Sequence, residues 1–95
     1  MRRALLSAVI IAVSTLAASA EKIDLSTMTC SKFQASSKDE IGIILTWLDA
    51  YYRDDDDPPV IDTDRFVANA KKLGQYCGEN PTIGLITATD KLFSK

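Results

Sequence analysis

Two cysteines and thirteen carboxylates are the groups with chemistry to offer, in a chain of 95 residues that contains no histidine. Without imidazole the chain lacks the one side chain whose ordinary pKa lies near neutrality. It also lacks the usual general base, so a hydroxyl or thiol nucleophile has no histidine partner. A carboxylate pair can work as general acid and base, but a chain this short leaves little room for a substrate cleft. The reading is therefore no enzyme. Two kinds of chemistry remain: proton uptake by carboxylates, well below neutral pH, and thiol chemistry at Cys30 and Cys77.

Three carboxylates fall where helices are expected to begin. Asp39, Glu40 and Asp62 are the candidate pH sensors, because helix-start donors and the helix dipole favour a negative charge there. Stability supplied in that way is present above the unfolded pKa and lost as pH falls through the folded one. The competing assignment is ordinary capping with no switching role. The run Asp54-Asp55-Asp56-Asp57 is a different case. Its four like charges repel, so protonation relieves local strain and makes the run a poor trigger for unfolding. As a calcium loop it would need glycine at position six and glutamate at position twelve. Counted from Asp54, those places hold Pro59 and Arg65. A solvated loop is the reading, with no metal and no cofactor.

The chain opens on Arg2 and Arg3, continues through an uncharged, mostly apolar run over 4–18, and reaches Ala18-Ser19-Ala20. A basic start, a short apolar stretch and small residues at −3 and −1 describe a secretory signal peptide. The apolar stretch falls short of the roughly 20 residues of a membrane span. Residues 1–20 are thus read as a signal peptide cleaved after Ala20, and 21–95 as the mature helical domain, with no membrane association after cleavage. The mature part holds nine Lys/Arg against 13 Asp/Glu, a net −4. It has no basic stripe, which argues against a nucleic-acid partner. In an exported chain, two cysteines read as one disulfide, Cys30–Cys77. The loop it closes spans 48 residues, and closing a loop of that length stabilises by roughly 4 kcal/mol. For a domain with so thin a core that is a large share of net stability.

The elements that must position these groups are helices. Residues 21–28 read as a short polar lead. Thr29 caps a brief helix over 30–35, with Phe33 inward. Ser37 and Glu40 have the spacing of a capping box and open the longest helix, over 38–53. On it Ile41, Ile44, Leu45, Leu48 and Tyr52 follow a 3.6-residue stripe. Ile43, Trp47 and Tyr51 widen that stripe almost to the full circumference, so one face is expected inside the domain and a second against a partner. The Asp run with Pro58-Pro59 stops the helix. Val60-Ile61 follows, and Asp62 caps a helix over 63–76 with Phe66, Val67, Ala70, Leu73 and Cys77 on one face. Gly78 is placed as its left-handed terminator. Asn80-Pro81 is placed as cap and first residue of a helix over 82–93. Propensity alone suits that last segment to a strand as well; with no partner strand in the chain, helix is favoured. The fold class is all-α: a small four-helix orthogonal bundle with one disulfide, after a cleaved signal peptide.

These residues also resemble a known family. Met28-Thr29-Cys30-Ser31-Lys32-Phe33 looks like the T-C-x-x-F opening of the periplasmic acid-stress chaperones HdeA and HdeB. Trp47 in the long helix and Tyr76-Cys77-Gly78-Glu79-Asn80-Pro81 resemble the HdeB branch, and Val60-Ile61-Asp62 matches the apolar-Asp step between helices. The resemblance spans Met28 to about Phe93. It implies a four-helix fold with one disulfide, a homodimer at neutral pH, and ATP-independent holding of acid-unfolded periplasmic clients. The family often has an acidic residue two places after the first cysteine; here Lys32 stands there, so no carboxylate at that position can sense pH.

Together these readings point to a client-binding or dimer surface of Ile41, Ile43, Ile44, Leu45, Trp47 and Leu48, with Val60, Ile61, Phe66 and Val67. For each residue the competing assignment is core packing, and some must be core. Gly42, which costs about 1 kcal/mol against alanine inside a helix, marks either a close helix–helix approach at the dimer or a tolerated weak spot. The alternative function is a small secreted module that binds a ligand or one envelope partner, without acid-chaperone activity.

Overall fold

The computed structural model describes residues 22–93. The signal-peptide reading of residues 1–20 lies outside them. Four helices follow in order: α1 Cys30–Ala35, α2 Lys38–Tyr51, α3 Thr63–Glu79 and α4 Leu85–Phe93. No helix among the described residues is long and apolar enough to cross a membrane.

Local chemistry sets three of the helix starts. The Thr29 hydroxyl accepts from the Lys32 N–H at 3.1 Å, Ser37 from Glu40 at 3.2 Å, and the Asp62 carboxylate from Arg65 at 3.0 Å. Each satisfies a donor that a helix start leaves without an internal partner. The fourth start differs from the sequence expectation. Asn80-Pro81 does not open α4, which begins only at Leu85. The intervening segment spends its backbone on α1 instead. Pro81 C=O accepts from Ser31 N–H at 2.9 Å and Ile83 C=O from Cys30 N–H at 2.8 Å. Thr29 and Gly84 form an antiparallel bridge, and Leu85 N–H donates to Met28 C=O at 2.8 Å. Carbonyls from a distant stretch thus cap the first turn of α1.

The end of α3 also differs. Gly78 lies inside the helix, and Asn80 terminates it. The Asn80 backbone N–H and side-chain amide both donate to Tyr76 C=O, at 2.9 and 3.0 Å, so a side chain closes the turn in place of a left-handed glycine. At the C-terminal end of α2, Tyr52 is the cap and Arg53 lies beyond it.

The core centres on the Cys30–Cys77 disulfide, whose Cα atoms are 4.9 Å apart and which ties α1 to α3. Met28 and Phe33 pack there with Ile44 and Leu48 of α2, Leu73 of α3, and Leu85 and Ala88 of α4. Thr89 is fully buried beside them. On α4 the inward set is therefore Leu85, Ala88 and Thr89, while Ile83 and Ile86 are half-buried and Thr87 is exposed. On α3, Val67 turns outward, leaving Leu73 and Cys77 inward with Phe66 and Ala70 half-buried. The lead is also more than a polar tail: Ile23 and Leu25 pack against the core, and Met28 belongs to it. The helices α1, α3 and α4 approach one another closely along their backbones; α2 does so far less.

Candidate functional site

The long helix presents two surfaces, as the widened stripe predicts. Ile44 and Leu48 point into the core, with Ile41, Leu45 and Tyr52 half-buried on its margin. On the other side Ile43 (61 % exposed), Trp47 (48 %) and Tyr51 (41 %) lie open. They stand four residues apart, which stacks side chains one above the next on a helix. Trp47 and Tyr51 stack with ring centroids 4.7 Å apart and planes at 15°, and Tyr51 meets Tyr52 edge-on at 4.9 Å.

This stripe forms one wall of a groove of about 440 Å³. Ile23 and Leu25 from the lead face it, Ile86 of α4 contributes, and Ile44 reaches in from the core. Past Ile43, Gly42 and Thr46 extend the same face as a shallow hollow with Asp39 at its rim. A Cβ built on Gly42 meets nothing within 4 Å, so no close helix approach occurs there within the chain.

A second groove, of about 290 Å³, runs between α2 and α3. Leu45, Leu48, Phe66 and Leu73 line its apolar part, and Asp49 faces Arg65 across it at 3.8 Å. Of the ten surface residues expected from sequence, Ile43, Ile44 and Trp47 meet in the first groove, and Leu45, Leu48 and Phe66 in the second. Ile41 is half-buried on the core. Val60, Ile61 and Val67 are exposed but line neither groove. Nothing in the spacing of the sequence assigns Ile23, Leu25 or Ile86 to this groove. The alternation of Ile23 and Leu25 with polar neighbours is a strand-like signal too short to register. Tyr51 was legible, four residues beyond Trp47.

The carboxylates divide by what holds them. Asp62 caps α3 through Arg65 N–H, Glu40 sits in the first turn of α2 behind Ser37, and Asp39 is exposed beside it. Asp24 accepts from both the Ser26 hydroxyl, at 2.6 Å, and the Ser26 N–H, at 2.9 Å. Those two bonds, the hydroxyl first, hold its carboxyl below the usual aspartate range. Within the acidic run, Asp57 accepts from Asp54 N–H at 2.9 Å. Arg53 donates to Val60 C=O and to Pro58 C=O, both at 2.7 Å, and lies 3.9 Å from Asp57. The loop is thus folded around one guanidinium. Among the described residues no group of His, Cys, Asp or Glu is arranged to hold a metal ion.

One polar contact ties α2 to α4. Tyr52 donates to the Asp90 carboxylate at 2.5 Å and lies 2.7 Å from the buried Thr89 hydroxyl. Burial, with help from the Asp90 acceptor, pushes the Tyr52 phenol up to about 12; Thr89 acts in the opposite direction.

The family model of the HdeA/HdeB family matches residues 2–87, nearly the whole chain, so the chain belongs to that family. The match is to the family as a whole and does not separate its branches. No curated protein and no solved structure matches it.

Proposed function

We propose, with membership of the HdeA/HdeB family as the premise, that this protein is an ATP-independent acid-stress chaperone of the periplasm. In this reading residues 1–20 direct export and are removed, and 21–95 form the working domain. The domain is a homodimer at neutral pH and, in acid, holds unfolded periplasmic proteins on apolar surface.

One observation carries the reading beyond family membership. An open apolar and aromatic stripe, Ile43, Trp47 and Tyr51, lies on the helix with the fewest close backbone approaches to the rest. Large exposed apolar surface on a small soluble domain marks an interaction site. At neutral pH a second copy would cover the stripe. In acid the same residues would take a client, joined by Ile41, Ile44, Leu45, Leu48 and Phe66 as α2 loosens, with Val60, Ile61 and Val67 as outlying contacts. The candidate sensors are Asp62, whose carboxylate caps α3, and Asp39 and Glu40, which lie in the first turn of α2 where a negative charge suits the helix dipole. Charge supports the direction. Protonating all 13 carboxylates takes each mature chain from −4 to about +9. Two such halves repel, and the same charge would keep a client complex soluble.

The test is aggregation of a periplasmic extract between about pH 2 and about pH 4, the range in which carboxylates titrate. Added purified protein is expected to keep the extract in solution. No suppression at any ratio of protein to extract would end the chaperone reading. A monomer whose binding of a hydrophobic dye stays flat from neutrality into acid would favour a ligand-binding module instead.

A further inference from the structure

We propose that the turn around Asp24 is an acid-released strap, which holds Ile23 and Leu25 as one wall of the groove beside α2 at neutral pH and in acid gives up that place to an extended apolar peptide. It rests on the chaperone reading only for the source of that peptide, an acid-unfolded protein.

The strap is the lead segment before α1. Asp24 Oδ1 collects the Ser26 hydroxyl and the Ser26 N–H. Thr27 Oγ1 donates to Asp24 C=O at 3.3 Å, and Met28 N–H donates to Leu25 C=O at 3.3 Å. An aspartate that bonds the backbone two residues on makes a compact turn. This one sets Ile23 and Leu25, on either side of Asp24, against the core and into the groove opposite Ile43, Trp47 and Tyr51. No helix or strand includes these lead residues. Beneath them lie Ile44 and Met28, both buried.

The turn depends on charge. An ionised carboxylate is a stronger acceptor than its acid, and only the ionised form has every lone pair free. The same bonds hold the Asp24 carboxyl below its ordinary value. For a lowered pKa, the stabilisation is present above the ordinary aspartate value and lost as pH falls through the lowered one. The strap therefore stays in place across the neutral and mildly acidic range and releases only in strong acid. Its surroundings are Lys22 in the lead, Lys32 of α1 and Glu40 of α2, which share a cleft with Asp24, and Tyr51 of α2 across the groove. The α4 contribution, Ile86, is uncharged.

The occupant follows from what already sits there. Ile23 and Leu25 are apolar residues separated by one polar residue in a non-helical stretch. An unfolded chain with the same alternation presents the same side chains to the same wall.

Trp47 is the only tryptophan in the chain and lines the groove, so its fluorescence reports the strap. Acrylamide quenching of the purified oxidised protein is followed from about pH 7 to about pH 2, with far-UV circular dichroism in parallel. The wild type is expected to show a rise in quenching below the ordinary aspartate range while helix content is unchanged. Asp24→Asn keeps an acceptor but gains no proton, so this step is lost. Ser26→Ala removes the larger of the two restraining bonds, so the step moves to higher pH. Both variants titrating as the wild type does would overturn the strap, as would a wild-type rise that occurs only together with loss of helix. Aggregation suppression, measured on the same samples, keeps the two ideas apart. A strap that obeys these variants in a protein that suppresses nothing would sink the chaperone reading alone. Suppression with an Asp24-independent Trp47 signal would sink the strap alone.

Discussion

Tyr52 shows how much one hydroxyl can tie together in a small core. Its proton goes to Asp90, and its oxygen meets a threonine with no exposed surface. Tyr52→Phe removes both bonds between α2 and α4. Thr89 keeps a partner in Ile86 C=O at 3.1 Å, so the loss should be chiefly that of a hydrogen bond to a carboxylate, about 2 kcal/mol, read from urea unfolding at neutral pH. The raised phenol adds a pH signature. A neutral form favoured by folding stabilises fully below the unfolded tyrosine value of about 10, and that contribution disappears as pH rises to about 12. Ultraviolet titration should show a tyrosine step near pH 12, and Tyr52→Phe should delete it. Nothing in the spacing of the sequence announced the Asp90 contact, since its partners lie 38 residues apart. The Arg53 clamp on the acidic loop escaped notice for a similar reason: its acceptors are backbone carbonyls, which every residue carries.

At the level of elements, what was legible was what is local. The starts of α1, α2 and α3 rest on Thr29, Ser37 and Asp62, each bonding a donor three residues on, and the sequence pattern locates all three. The inner stripe of α2 was equally plain, because Ile44 and Leu48 repeat at helical spacing. The start of α4 was not, because Pro81 and Ile83, just before it, are committed to α1 through bonds spanning about fifty positions. The end of α3 went astray because Asn80 performs a task more often given to glycine. For the candidate surface, the exposed stripe was readable and its opposite wall was not, since two apolar residues in a polar lead carry no periodic signal. Gly42 yields a prediction here. With open space around its Cβ, Gly42→Ala should stabilise α2 by about 1 kcal/mol within one chain. Sedimentation at neutral pH then reports on the neighbour: a second copy packed closely on that hollow would be pushed away, and the variant would run as a monomer.

For the molecule as a whole, the balance lies between a thin core and one covalent tie. Replacing Cys30 and Cys77 together by serine should cost roughly 4 kcal/mol, a loss comparable with the whole stability expected of so small a domain. Calorimetry at neutral pH should show the double variant largely unfolded, and acid-induced holding of clients should vanish with it. A double variant that melts like the wild type would show that packing alone suffices. Each helix carries at least one cation, Lys32 in α1, Lys38 in α2, Arg65, Lys71 and Lys72 in α3 and Lys91 in α4, so once the carboxylates are neutral repulsion would act on all four at once, whereas Tyr52, Asp49 and Arg65 hold α2 through side chains alone.

The junction of α1 with the 81–84 stretch is fastened through main-chain amides and carbonyls, none of which gains or loses a proton under physiological conditions. Together with the sulfur bridge it forms a fastening that acidity does not address. Once neutrality returns, the long helix has to find its seat again from the end of a short tether, not from a free coil, and the closure entropy of that search is correspondingly small. Recovery of the native arrangement should accordingly be rapid and independent of protein concentration, leaving only the meeting of two chains to depend on how many are present.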